Sequence, residues 1–186
     1  MATRTTDISV AAATVKKGGV IAYPTEAVYG LGCDPRNEEA VHRILQVKQR
    51  LPQKGLILIA SDFFQVAPFL KPIDAALKAK AMDSWPGPVT WLWPVRPDTP
   101  KWLCGEHATL AVRVTAHPLA AGLCSALGMA LVSTSANREG APPATDPQML
   151  EETLGELLDT ILEGPLGGHE KPSQIRDLKT DQVIRQ

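Results

Sequence analysis

No stretch of the 186-residue chain approaches the ~18 consecutive apolar residues that a membrane-spanning helix needs. The first residues, Met1-Ala2-Thr3-Arg4-Thr5-Thr6-Asp7, carry no apolar segment after their charge, so no secretory signal is expected. A soluble, cytoplasmic protein without membrane attachment follows as the expectation. Cysteine is scarce. Cys33, Cys104 and Cys124 are far apart and form no C-x-x-C, which excludes a disulfide framework and a zinc site and leaves buried reduced thiols. Neither sign of charge dominates: 19 Lys and Arg against 20 Asp and Glu give a net charge of −1. The chain is therefore no bulk polycation, and nucleic-acid binding would need a local patch. Common catalytic signatures are also missing. There is no G-x-x-x-x-G-K-[ST] phosphate loop, and Gly30-Leu31-Gly32 lacks the third glycine of a dinucleotide fingerprint. There is no G-x-S-x-G, S-x-x-K or H-E-x-x-H. His42, His107, His117 and His169 show no ligand spacing and read as surface or capping groups.

What is present is a chain with 44% hydrophobic residues, enough to bury a core within one domain spanning residues 1–186. Asp7 can cap a helix running to Lys17 and ended by Gly18-Gly19. Val20–Tyr23 reads as a strand stopped by Pro24, and Tyr29–Cys33 as a second. Asn37 caps a helix with apolar positions at Val41, Ile44, Leu45 and Val47, which places Lys48 and Arg50 at its carboxyl end. The continuous apolar run Leu56–Ala60 suits a central strand. A helix over Asp74–Ser84 is broken by Trp85-Pro86-Gly87-Pro88. Strands are predicted at Val89–Trp93 and Leu110–Val114. Pro118 opens a helix ending at Gly128. Ala130–Ser133 follows as a strand, then a Ser/Asn loop, a helix from Asp146 to about Leu158, and short strands to Val183-Ile184. Seven or more strands and about five helices imply an α/β (α+β) domain with one large mixed sheet. Some neighbouring strands have no helix between them, which disfavours an all-parallel sheet.

Two polar segments carry most of the chemistry. Lys48-Gln49-Arg50 with Lys54 offers three cations within seven residues. Ser133-Thr134-Ser135-Ala136-Asn137 offers hydroxyls and an amide directly after Met129-Ala130-Leu131-Val132. Cations with short hydroxyl donors suit a phosphate or carboxylate ligand. Each segment also has a local explanation, the helix dipole for the cations and turn formation for Ser, Thr and Asn. Arg113 interrupts a strand. By alternation it shares a face with Ala111, while Leu110, Val112 and Val114 share the other. It needs an anionic partner there, either a ligand or one of the chain's own carboxylates. Thr25 and Glu26 are ambiguous. Trp85, Trp91 and Trp93 read as packing rather than a stacking platform.

Five blocks occur in order: Tyr23-Pro24-Thr25-Glu26-Ala27-Val28-Tyr29-Gly30-Leu31-Gly32, Lys48-x-Arg50, Trp85-Pro86-Gly87-Pro88-Val89-Thr90, Leu110-Ala111-Val112-Arg113-Val114, and Ser133-Thr134-Ser135-Ala136-Asn137. The pattern resembles the YrdC family in its short bacterial form, over about Asp7 to Arg185. The resemblance implies a YrdC-like twisted mixed sheet with a positively charged concave face. It implies a nucleotidyltransferase that joins L-threonine, bicarbonate and ATP into threonylcarbamoyl-adenylate and pyrophosphate, for the threonylcarbamoyladenosine modification of tRNA. Partner proteins would transfer the group, weak tRNA binding is possible, and magnesium would accompany ATP with no acidic cluster to hold it. Under the resemblance, Lys48, Arg50 and Ser135 contact phosphates and Asn137 supports that loop. Lys54, Thr90, Ser173 and Arg185 lie along ATP. Thr25, Arg113 and Ser133 hold threonine. This chain departs from many relatives at Leu51-Pro52 and Lys54-Gly55, and at Arg138-Glu139-Gly140, where a further serine is common. An RNA-binding module is the second reading.

Overall fold

The computed structural model describes residues 1–185. In chain order the strands and helices are β1 (Thr3–Thr5), α1 (Ile8–Lys16), β2 (Ile21–Pro24), β3 (Tyr29–Gly32), α2 (Glu38–Lys48), β4 (Ile57–Ala60), α3 (Phe63–Val66), α4 (Ala75–Asp83), β5 (Val89–Pro94), α5 (Lys101–Cys104), β6 (Thr109–Val114), α6 (Pro118–Leu127), β7 (Leu131–Ser135), α7 (Pro147–Leu154), β8 (Thr160–Leu162), β9 (Gln174–Asp177) and β10 (Val183–Arg185). The caps expected from sequence set the helix starts. Asp7 accepts from Ser9 N at 2.7 Å, Asn37 from Ala40 N at 3.0 Å and Asp146 from Met149 N at 2.8 Å. Each such cap contributes roughly 1 kcal/mol.

One ten-stranded sheet runs through the chain in the order β1-β8-β2-β3-β7-β4-β6-β5-β9-β10. It is mixed, as the sequence implies: β4 lies parallel to β6 and antiparallel to β7. Alternation sorts the side chains onto two faces. Ala22, Leu31, Leu58, Val112 and Val132 join the core that includes Val41, Ile44 and Leu45 of α2 and Leu150 of α7. On the other face Ile21, Tyr23, Ile59 and Leu131 pack with Ala11 and Val15 of α1 and with Leu123 of α6. These two helices cover only part of that face. One step further along the same strands lie Ile57, Ala111, Arg113, Ser133 and Ser135, which border a cavity.

Four differences from the sequence expectation have physical causes. Strand β7 does not end at Ser133. Ser133 pairs with Ile57, and Thr134 and Ser135 pair with Leu31 and Gly30, so neighbours on both sides extend the ladder through the hydroxyls. Strand β1 is all polar and forms by backbone pairing with β8 at the sheet edge. Helices α3 and α5 have four residues each, too few to show a period. The helix after Asp146 stops at Leu154 and tightens into a 3-10 turn over Gly155–Leu157. The three cysteines are buried and unpaired, and no helix among the described residues is long and apolar enough to cross a membrane.

Gly105, at φ 61°, sits against the 3-10 turn Pro52–Lys54 that follows the first cationic segment. A Cβ there would overlap Gln53 O and lie 2.8 Å from Pro52 O. Gly105→Ala should therefore destabilise the fold by more than about 1 kcal/mol, read as a lower urea midpoint.

Candidate active site

The cavity of about 430 Å³ opens where α1 and α6 leave the sheet. Its size is that of a small-molecule site, for which roughly 300–1,000 Å³ is usual. The two polar segments meet at one end. Helix α2 ends at Lys48, and Gln49 at φ 56° turns the chain back so that Arg50 also reaches the cavity. Lys48, 4% exposed, points across to the end of β7. Its Nζ donates to Ser135 O at 2.6 Å, Asn137 O at 3.1 Å and Asn137 Oδ1 at 3.0 Å, with Ser135 Oγ at 3.3 Å. Ser135 Oγ in turn donates to Asn137 Oδ1 at 2.7 Å. Burial, then the charge of Arg50, lowers the Lys48 pKa to about 8. Lys48 thus joins the K-x-R segment physically to the S-x-N bend, and its protons are spent within the protein.

The other cations at this end are freer. Arg50 donates Nη2 to Gly55 O at 3.1 Å, while its Nε is buried without a partner. Arg185, on β10, borders the cavity, and desolvation followed by the Arg50 charge lowers its pKa. Lys54 forms an ion pair with Glu139. A cluster of like charges with an unsatisfied guanidinium nitrogen invites a polyanion.

Arg113 marks the other end. It lies beside Ile59 in the ladder, at the boundary between the helix-covered core and the cavity. As predicted, Ala111 shares its face. Its Nη1 is paired with Glu26, whose Oε1 also accepts from Thr115 Oγ1 at 2.7 Å. Burial alone would raise the Glu26 carboxyl, but the Arg113 charge and these hydrogen bonds outweigh it and hold it below the usual range. The internal ion pair left open by the sequence therefore exists, and Arg113 borders the cavity as well. Its Nε is buried with no partner. Ser133 and Thr25 border the same end, with Thr25 Oγ1 donating to Val28 O at 2.6 Å.

Thr90 stands back from the cavity. It is fully buried and does not border the cavity. Strand β5 pairs with β9, so Thr90 stands behind Ser173, with the two hydroxyl oxygens 2.8 Å apart and only Ser173 on the wall. The remaining predicted residues, from Thr25 to Arg185, border one cavity. The sequence left Glu26 ambiguous and gave no role to Thr115 or Glu139. Adjacency to Thr25 in the first sequence block could have favoured Glu26, and nearness to Asn137 could have favoured Glu139. His117 caps α6 as expected of its type, accepting from Ala120 N at 3.4 Å. Trp91 and Trp93 are core residues, and Trp85 stacks on Trp93. No group of three potential metal ligands occurs among the described residues.

The family model described as telomere recombination, covering Sua5, YciO and YrdC, matches residues 13–186. The chain belongs to the Sua5/YrdC family. It is 50% identical over 181 residues to a threonylcarbamoyl-AMP synthase of Coxiella burnetii, covering 97% of each chain. It is 54% identical over 178 residues to a threonylcarbamoyl-AMP synthase of Nitrosococcus oceani, covering 96% of each. Among solved structures it matches P. abyssi Sua5 complexed with L-threonine at a TM-score of 0.89 and 30% identity, over 100% of this chain and 56% of that one. It matches E. coli YciO at a TM-score of 0.85 and 28% identity, over 100% of this chain and 96% of that one. The mixed sheet is thus the Sua5/YrdC fold, and this Sua5/YrdC chain is an enzyme.

The Lys48 environment has a measurable consequence. Unfolded, Lys48 keeps its proton to about pH 10.5, and folded only to about 8. Between these values the unfolded chain binds the extra proton, so stability from this residue grows as pH rises through that window. The unfolding free energy of wild type relative to Lys48→Met, from urea titrations, should widen in favour of wild type between about pH 7 and about pH 10. At neutral pH Lys48→Met should still cost about 1–3 kcal/mol, because buried carbonyls of the bend lose their donor.

Proposed function

We propose that this enzyme makes L-threonylcarbamoyl-adenylate from L-threonine, bicarbonate and ATP, releasing pyrophosphate. The observation that carries the reading is the division of one cavity into two anion-handling ends. Arg50, Lys54, Arg185 and the Lys48-held Ser135–Asn137 bend form one, and Arg113 with Thr25 and Ser133 forms the other. A triphosphate and an amino-acid carboxylate placed at these ends would have their reacting groups between them. The names of the two synthases support the threonylcarbamoyl-adenylate product, and the threonine-bound Sua5 supports threonine as a substrate.

The chemistry asks little of the protein beyond placement. The threonine amine adds to the carbon of bicarbonate, water leaves, and a carbamate results. A carbamate oxygen then attacks the α-phosphorus, forming a new P–O bond as the bond to pyrophosphate breaks. Such transfer rests on positioning and charge stabilisation rather than a covalent nucleophile. Arg50, Lys54 and Ser135 take phosphate oxygens, while Lys48 and Asn137 hold the bend that presents Ser135. Ser173 lies along the nucleotide with Thr90 bracing it, and Arg185 closes the cavity from β10. Arg113 reads the threonine carboxylate, with Glu26 fixing the guanidinium from behind. Both cavity carboxylates, Glu26 and Glu139, are already paired with cations. That donor set does not fit a resident metal, so magnesium belongs to ATP. The product serves tRNA threonylcarbamoylation in the cytoplasm, through partner proteins that transfer the group.

Pyrophosphate release should require all three substrates, and release unchanged on omitting threonine would defeat the reading. Arg113→Ala should raise the threonine KM by roughly 10- to 100-fold, the value of a charge-assisted hydrogen bond, with little change for ATP. Lys48→Ala should act mainly on ATP. Equal losses for both substrates in both variants would contradict the division of the cavity.

A further inference from the structure

Among the described residues, the cationic end of the cavity contains one carboxylate, Glu139. The other carboxylate on the wall, Glu26, is committed to Arg113 at the far end. Glu139 faces Lys54, Arg50 and Lys48, and its position is built rather than incidental. Its backbone N–H donates to Lys48 O at 2.8 Å, which ties it to the end of α2. The residues around it are shaped by Asn137 Nδ2, which donates to Arg138 O at 2.9 Å and Ala141 O at 2.7 Å, and by Gly140 at φ 84°. From this perch the side chain reaches Lys54 across the cavity mouth. The Lys54 hydrogen bond, with the charges of Arg50 and Lys48, holds the carboxyl below its usual range, so it is an anion at neutral pH.

We propose that Glu139 is an internal counter-anion, which takes up Lys54 in the empty protein and gives it up when a polyphosphate enters. The inference rests on the cationic end receiving phosphates, as the proposed function has it. Both side chains are about half exposed, at 44% each. An exposed pair is weak and is exchanged at small cost, so the contact can yield to a ligand of higher charge. A polyphosphate that displaces Glu139 still meets its negative charge nearby. Glu139 therefore lowers affinity for the whole polyphosphate series, most for the most highly charged members. For an enzyme that must discard pyrophosphate after each turnover, this favours release.

Calorimetric titration of inorganic pyrophosphate and of ATP, with and without magnesium, tests the idea in wild type, Glu139→Gln and Glu139→Asp. Glu139→Gln should tighten pyrophosphate roughly three- to tenfold, the scale of one like charge removed at a few ångströms in a wet site. The gain should shrink in 1 M salt, where the Debye length is about 3 Å. Glu139→Asp, which keeps the charge, should stay near wild type. Unchanged affinity in Glu139→Gln would overturn the proposal. So would a loss of affinity seen only with magnesium, which would make Glu139 a ligand of the cation. Failure of pyrophosphate to bind wild type or variant would overturn it together with the phosphate assignment of this end. Threonine-dependent turnover by wild type reports on the synthase reading independently.

Discussion

The Lys48 ammonium holds the site together. It bridges the last turn of α2 and the bend after β7, elements 87–89 residues apart in sequence. A buried cation is costly unless its protons are used, and here carbonyl and amide oxygens use them. The hydrogen bonds fix where Ser135 points, where Arg50 emerges and where Glu139 begins. The resemblance implied a lysine in contact with phosphate. The geometry shows one whose protons go to the Ser135–Asn137 bend, and its lowered pKa follows from burial and then from the Arg50 charge.

Much of the fold could be read from the chain because local signals agreed with tertiary need. Asp7, Asn37 and Asp146 cap helices as their type dictates, and Gly128 at φ 67° ends α6. The parts that escaped have their causes in distant partners. Nothing local says that Ser133, Thr134 and Ser135 should be strand, because the ladder belongs to β3 and β4. Nothing local says that Thr90 is hidden, because Ser173 is 83 residues away. Arg113 was legible as a charge in need of an anion. That Glu26 answers it depends on the β2–β3 connection meeting β6, which composition does not encode. Glu139 carries no local signal for the same reason: an exposed glutamate acquires meaning only once Lys54 stands opposite.

A net charge of −1 conceals a strong internal asymmetry. Lys48, Arg50, Lys54 and Arg185 are gathered at one end of the cavity, Arg113 stands at the other, and most carboxylates lie elsewhere. Local field rather than bulk charge is what a small anionic substrate experiences, and low-dielectric walls focus it. This separates an enzyme with a cationic cavity from a polycation that binds any nucleic acid.

The partial coverage of the sheet by α1 and α6 divides the cavity into halves of different mechanical character. Arg113 and Ser133 sit on central strands, one residue step from the packed row of Leu131 and Ile59. Backbone opening there requires paired central strands to separate from the core. Lys54, Glu139 and Ser173 sit on connections outside the strands, where subglobal opening suffices. The Arg113 end thus rests mainly on central strands, while the cationic end draws several of its residues from connections. Under the proposed function, the amino acid would be read where the chain cannot yield, and the nucleotide would enter and leave where it can.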